Sequence, residues 1–309
     1  MKSITFAFMS AVAVLICSGC NKTENTSNMP VIFTSILPQK TFAEDIAGPE
    51  FEIVSLVGPG ESPHSFNPTP SQMASLAKAA VFFTVGTALE ETLIPKIRSV
   101  SPSLIIKKTD IGIQKRTLAI KSDCESHDHE HAHHHEENGD SGKDPHIWLS
   151  PKNAAKIAEN IATGLSEIFP GKKDIFMKNL SRFKKSADSL HMEILKVLEP
   201  VRGEKLFVFH PAFGYFADEY GLEQIAVEIR GREPGAKELA RIIEEARKNN
   251  VKIIFVQPQF SQKSASVIAR EIGGAVIPFD PLPQRYFKTL GETAQAVRES
   301  LEKQKSPGE

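Results

Sequence analysis

The chain has 309 residues, 37 basic and 38 acidic side chains, a formal net charge of −1 and a hydrophobic fraction of 40%. That length can bury the cores of two ordinary domains, and the balanced charge provides no global field that would draw nucleic acid. Three cysteines, two of them within the first 20 residues, make no disulfide framework, so stability has to come from packing.

At the N-terminus, Lys2 precedes an apolar run, Ile4 to Ile16, that is too short to span a bilayer. Residues 1–19 therefore read as an export signal. Ser18-Gly19-Cys20 resembles a bacterial lipobox, although Cys17 stands where leucine is usual. Cys20 is the expected lipidation site, with plain secretion as the alternative. Residues 20–30 then form a polar tether.

From Val31 the chain alternates short apolar runs with amphipathic stretches. Strands are predicted at 31–36, 51–57, 81–85 and 104–107, and helices at 38–47, 71–80 (capped by Ser71) and 89–100. Between the second strand and the helix at 71 lies Gly58 to Pro70, a loop stiffened by prolines and containing His64. Ser150-Pro151 supplies an N-cap and N1 pair for a helix whose apolar face is Ile157, Ile161, Leu165 and Ile168. Alternation with short connections argues for a parallel sheet covered on both faces.

Phe176, Leu180, Phe183, Ala187, Leu190, Ile194 and Val197 then recur in steps of four and three on one uninterrupted helix. Such a seam serves either a coiled-coil dimer or an intramolecular spine. With only a few heptads between two βα regions, the spine and a monomeric chain are the expectation. The second half repeats the pattern: strands at 205–209, 252–256 and 275–279, and helices at 212–220, 238–249, 261–272 and near the C-terminus. The expected fold class is α/β, with two βα domains of parallel sheets, 31–169 and 201–309, joined by one long rigid helix at 170–200.

Seven of the ten histidines fall between Asp123 and Leu149. His127, His129, His131, His133, His134 and His135 lie in an acidic stretch with almost nothing apolar to bury, which makes 123–143 a solvated loop attractive to divalent metal. Cys124 is either a soft ligand in that loop or an incidental thiol. His146 differs, because it sits beside the only Trp, Trp148, just before a strong helix start. His64, His210 and Asp280 also follow predicted strands, where open α/β sheets present their ligand crevice. Each of the four neighbours a proline. His₃Asp suits tetrahedral Zn²⁺ held in an interdomain cleft.

Four motifs carry a specific resemblance: Pro59-Gly-Glu-Ser-Pro-His64-Ser-Phe-Asn-Pro-Thr-Pro70, Asp144-Pro-His146-Ile-Trp-Leu-Ser-Pro151, His210-Pro-Ala-Phe-Gly-Tyr-Phe216 and Phe279-Asp280-Pro-Leu282. Together they resemble the zinc-binding solute-binding proteins of bacterial ABC transporters, the ZnuA/TroA-like cluster. The resemblance implies metal ligation by His64, His146, His210 and Asp280, an ABC permease and its ATPase as partners, and Zn²⁺ as the transported ligand. Manganese-type members of that cluster have Glu where His210 stands, so manganese is the alternative cargo. Some zinc members carry Glu where Pro63 stands, and many relatives carry Glu in the segment that here reads Gln257-Pro258-Gln259.

Two other functions compete. A zinc hydrolase would need an open coordination position and a general base, and no carboxylate is obviously placed as that base. A metal store would act mainly through the histidine loop.

Overall fold

The computed structural model describes residues 29–118, 142–227, 235–249, 251–259 and 262–305. The export signal, Cys20, most of the tether, Cys124 and the six loop histidines lie outside the described residues.

Two four-stranded parallel sheets form the frame. The first has β1 (Val31–Thr34), β2 (Glu52–Ser55), β3 (Val81–Thr84) and β4 (Ile106–Lys108) in the order β2-β1-β3-β4. The second has β5 (Lys205–Val208), β6 (Glu223–Ala226), β7 (Ile253–Val256) and β8 (Ala275–Pro278) in the matching order β6-β5-β7-β8. Central strands β3 and β7 are buried along their whole length, as the runs Val-Phe-Phe-Thr and Ile-Ile-Phe-Val require of strands covered on both faces.

Helices α1 (Leu37–Ala47), α2 (Pro70–Leu76), α3 (Ala88–Val100) and α4 (Pro151–Ile168) belong to the first half. Helices α6 (Gly214–Tyr220), α7 (Ala236–Lys248), α8 (Gln262–Glu271) and α9 (Tyr286–Lys305) belong to the second. Between them runs α5 (Lys173–Leu198), which at 1.5 Å per residue is about 39 Å long. Its buried stripe is Phe176, Leu180, Phe183, Ala187, Leu190, Ile194 and Val197, ending with Leu198. The stripe is consumed inside the chain: Phe183 meets Phe42 of α1 edge-on at 5.2 Å and Phe287 of α9 at 5.1 Å. One apolar core therefore runs from the inner face of the first sheet through α1, α4 and α5 to α6 and α9. Smaller cores cover the outer faces of the two sheets.

Three local features depart from the sequence expectations. Strand β6 was not anticipated, because four residues with a Glu-Gln start on a sheet edge carry too little apolar signal. Helix α2 is capped by Thr69 rather than Ser71. Gln72 N–H donates to Thr69 Oγ1 (3.2 Å), Thr69 N–H donates to Gln72 Oε1 (2.8 Å), and Pro70 opens the first turn. Helix α6 starts at Gly214 rather than Ala212, because Ala212 N–H closes a tight turn onto the His210 carbonyl at 2.7 Å.

Candidate metal centre

Each histidine reaches the cleft by a different local device. His64 rides on the loop after β2. Gly58 N–H donates to Glu61 Oε2 (2.7 Å), and the Thr69 cap holds the far end. Short turns, prolines and the packing of Phe66 against the core define this loop, and His64 remains exposed. His146 lies between β4 and α4, in a tight turn that ends at Ser150. Ser150 Oγ accepts from Asn153 N–H at 3.2 Å and caps α4, with Pro151 at its first position. His210 follows β5. Its backbone is gripped by the buried Gln257 amide, whose Oε1 accepts from His210 N–H (3.1 Å) and whose Nε2 donates to the His210 carbonyl (2.7 Å).

The three imidazoles converge. His64 Nε2 lies 3.0 Å from His210 Nε2, which lies 3.3 Å from His146 Nε2. One nitrogen from each ring falls within 4.8 Å of the other two. A tetrahedral zinc with Zn–N bonds of about 2.0–2.1 Å holds its nitrogens about 3.3 Å apart. The spacing therefore fits that ion with little adjustment. Among the described residues no carboxylate joins the group.

The tautomer of His146 follows from its neighbour. Asp144, fully buried, accepts from His146 Nδ1 at 2.8 Å and from His146 N–H at 3.0 Å, both on Oδ1. That places the proton on Nδ1 and leaves the Nε2 lone pair facing the other rings. Burial works against the Asp144 carboxylate, but hydrogen bonds from His146 and Arg116 outweigh it and hold its pKa below the usual value. Although the residue presents surface to solvent, the protein packed around the His64 ring, and then the His210 and His146 rings, disfavour the cation and lower its pKa to about 3. Its ring is neutral and available to a metal at neutral pH.

A cavity of about 330 Å³ opens beside the three rings, walled by Phe66, Leu89, Trp148 and Leu282. Trp148 packs edge-on against His146 at 5.4 Å and donates its indole N–H to the Pro281 carbonyl at 2.6 Å. Its own carbonyl accepts from the Tyr286 hydroxyl at 2.7 Å. These apolar walls exclude water and strengthen electrostatics at the rings.

Asp280 does not join the histidines. Its Oδ1 accepts from Leu282 N–H (2.9 Å) and Gln259 Nε2 (2.9 Å), so the carboxylate serves the turn that follows β8. Asp144, Gln257 and Arg116 were not assigned roles from sequence. The Asp-Pro-His spacing was visible in Asp144, whereas nothing local marks the other two.

Two parallel-sheet domains on a helical spine, with imidazoles from both meeting in the cleft, form a site whose donors suit a metal ion. The chain belongs to the family described as ZnuA, zinc-uptake complex component A, periplasmic, which matches residues 32–300. It is a family of binding receptors in metal transport, not of enzymes. Among solved structures, a crystal structure of ZnuA superposes with a TM-score of 0.79 at 32% identity, covering 89% of this chain and 100% of that one. Zn(II)-bound AdcA from Streptococcus pneumoniae superposes with a TM-score of 0.70 at 25% identity, covering 88% of this chain and 57% of that one. The zinc-binding lipoprotein AdcA of Streptococcus pneumoniae (strain ATCC BAA-255 / R6) is 27% identical over 98% of this chain and 62% of its own length. The chain thus spans less than two thirds of the length of this relative.

Proposed function

We propose that this chain is the extracytoplasmic receptor of an ABC importer, capturing Zn²⁺ in the cleft and delivering it to a membrane permease driven by its ATPase. The observation that carries the reading is the meeting of three imidazole nitrogens, from loops of both domains, at zinc-like spacing. Imidazole donors favour Zn²⁺ over the harder Mn²⁺. The names of the relatives support the same cargo.

In this reading His64, His146 and His210 are metal ligands and Asp280 is the fourth. Asp280 has to loosen its hold on Gln259, or turn its second oxygen toward the ion. The histidine-rich segment, His127 to His135, is an exposed collector of lower affinity, because flexible ligands lose entropy on closing around a metal. Export is followed by anchoring through a lipidated Cys20, and the receptor works as a monomer with domains at 31–169 and 201–309 bridged by 170–200.

Chelator-competition titration of the mature protein tests the reading. The expected result is one site of nanomolar affinity, about −12 kcal/mol, that survives deletion of residues 123–140 and prefers Zn²⁺ to Mn²⁺. No site tighter than micromolar, or loss of all binding with the deletion, overturns it. Asp280→Asn decides the fourth ligand: unchanged affinity would mean an ion completed by water on three histidines.

A further inference from the structure

Arg116 lies in the first half of the chain, after β4, yet most of its contacts are with groups that control the metal centre from both sides of the cleft. Its Nη1 donates to Asp144 Oδ2 at 3.2 Å, the oxygen opposite the one that holds His146. Its Nε and Nη2 form a fork on Asp218 of α6, at 2.8 and 3.3 Å. Its backbone joins in: Arg116 N–H donates to the Tyr215 hydroxyl (3.0 Å), which donates onward to the Asp144 carbonyl (3.0 Å). The Arg116 carbonyl accepts from Asp144 N–H at 2.9 Å.

The neighbouring chain is shaped around this side chain. A Cβ on Gly214, the first residue of α6, would stand 1.5 Å from Arg116 Nη1. Only glycine lets the guanidinium pass between α6 and Asp144. Helix α6 begins four residues after His210, so the fork on Asp218 grips the helix into which the His210 turn leads. Arg suits the task better than Lys, because the planar guanidinium serves two carboxylates at once while an ammonium acts as a point charge.

We propose that Arg116 is a positioning residue with two arms: one orients the His146 ring through Asp144, and the other clamps α6 so that His210 already faces His146 before metal arrives. The clamp sets zinc affinity and slows zinc release without touching the ion. This rests on the three-histidine reading of the centre for its zinc readouts, but the clamp itself is a property of the metal-free chain.

The test uses the full mature chain and Arg116→Gln, Arg116→Lys and Asp218→Asn variants, with His146→Ala as a control. Zinc affinity is read by chelator competition, zinc release by stopped flow into excess chelator, and domain separation of the metal-free chain by small-angle scattering. Removal of a group that orients a ligating histidine typically lowers metal affinity tenfold to a hundredfold. Arg116→Gln is expected to show about tenfold weaker binding by that comparison, faster release and a more open metal-free chain. Arg116→Lys should recover part of the affinity. Asp218→Asn, at the exposed end of the fork, spares Asp144, so it should accelerate release more than it shifts ring orientation, and it remains informative if Arg116→Gln folds poorly.

Affinity, release and scattering of Arg116→Gln all matching the wild type would overturn the proposal. So would a loss fully accounted for by lower metal-free melting temperature, with no rescue by lysine. If His146→Ala binds zinc as tightly as the wild type, the zinc centre itself falls. The clamp then stands or falls on whether Arg116→Gln and Asp218→Asn open the metal-free chain.

Discussion

The two walls of the cleft hold their histidines in different ways. On the second-domain wall, His210 is buried at a strand end, its backbone N–H and carbonyl both engaged by Gln257. On the first-domain wall, His64 stands exposed on a proline-stiffened loop whose hydrogen bonds are local turns. His146 lies between, buried and backed by the Asp144 carboxylate. Two ligands are thus prepared by buried contacts and the third by a stiff but outward loop. A receptor that must release its cargo needs such an asymmetry, because a ligand on an exposed loop can leave first.

The comparison breaks most directly on the histidines themselves. His210→Ala should weaken zinc binding by about a thousandfold, roughly 4 kcal/mol, and His64→Ala by about a hundredfold. Equal losses in the same chelator titration would remove the asymmetry. Next, Gln257→Leu removes both side-chain hydrogen bonds to the His210 backbone, while the His210 carbonyl keeps the Ala212 N–H. A typical hydrogen bond contributes about 0.5–1.5 kcal/mol, so the metal-free chain should lose about 2 kcal/mol in denaturant unfolding, with zinc binding weakened alongside. On the other wall, Thr69→Ala removes only a helix cap, about 1 kcal/mol. Zinc affinity falling by more than about tenfold, more than 1.4 kcal/mol, would mean that the loop is held more tightly than its contacts indicate.

The smallest effect is on pH dependence. The folded-state pKa of His64 is depressed from 6.5 to about 3, by its surroundings and by the facing His210 and His146 rings. Above 6.5 both folded and unfolded chains keep this ring neutral, and it adds nothing to the slope. Between 6.5 and about 3 the unfolded chain takes up a proton that the folded chain refuses, so stability falls as pH falls. Urea midpoints of the metal-free wild type at pH 7.5 and pH 5 should differ more than those of His64→Asn. Identical differences would show that the ring is free of this crowding.

Much of the architecture was legible because it depends on local pattern. The stripe from Phe176 to Val197 declares a helix with one apolar face, and the runs Val81-Phe-Phe-Thr84 and Ile253-Ile-Phe-Val256 declare buried strands. His64, His146 and His210 drew notice because each follows a predicted strand or opens a capped helix, and the fold brings these three together. What stayed hidden depends on approach between distant segments. Arg116 and Asp218 are 102 residues apart, and Gln257 acts on a backbone 47 residues away. Strand β6 is visible only once β5 supplies its hydrogen bonds. Asp280 shows the reverse: its place after a strand suggested a ligand, while its own turn captures one of its oxygens.

Trp148 is the only tryptophan in the chain, and it is bound at both ends to the segment that leads into α9 while its ring leans on His146. The protein therefore contains its own optical probe. A change in His146 or in the distance between the domains alters the surroundings of a single indole, so metal loading should be readable as a shift in intrinsic fluorescence, on unlabelled protein and in real time.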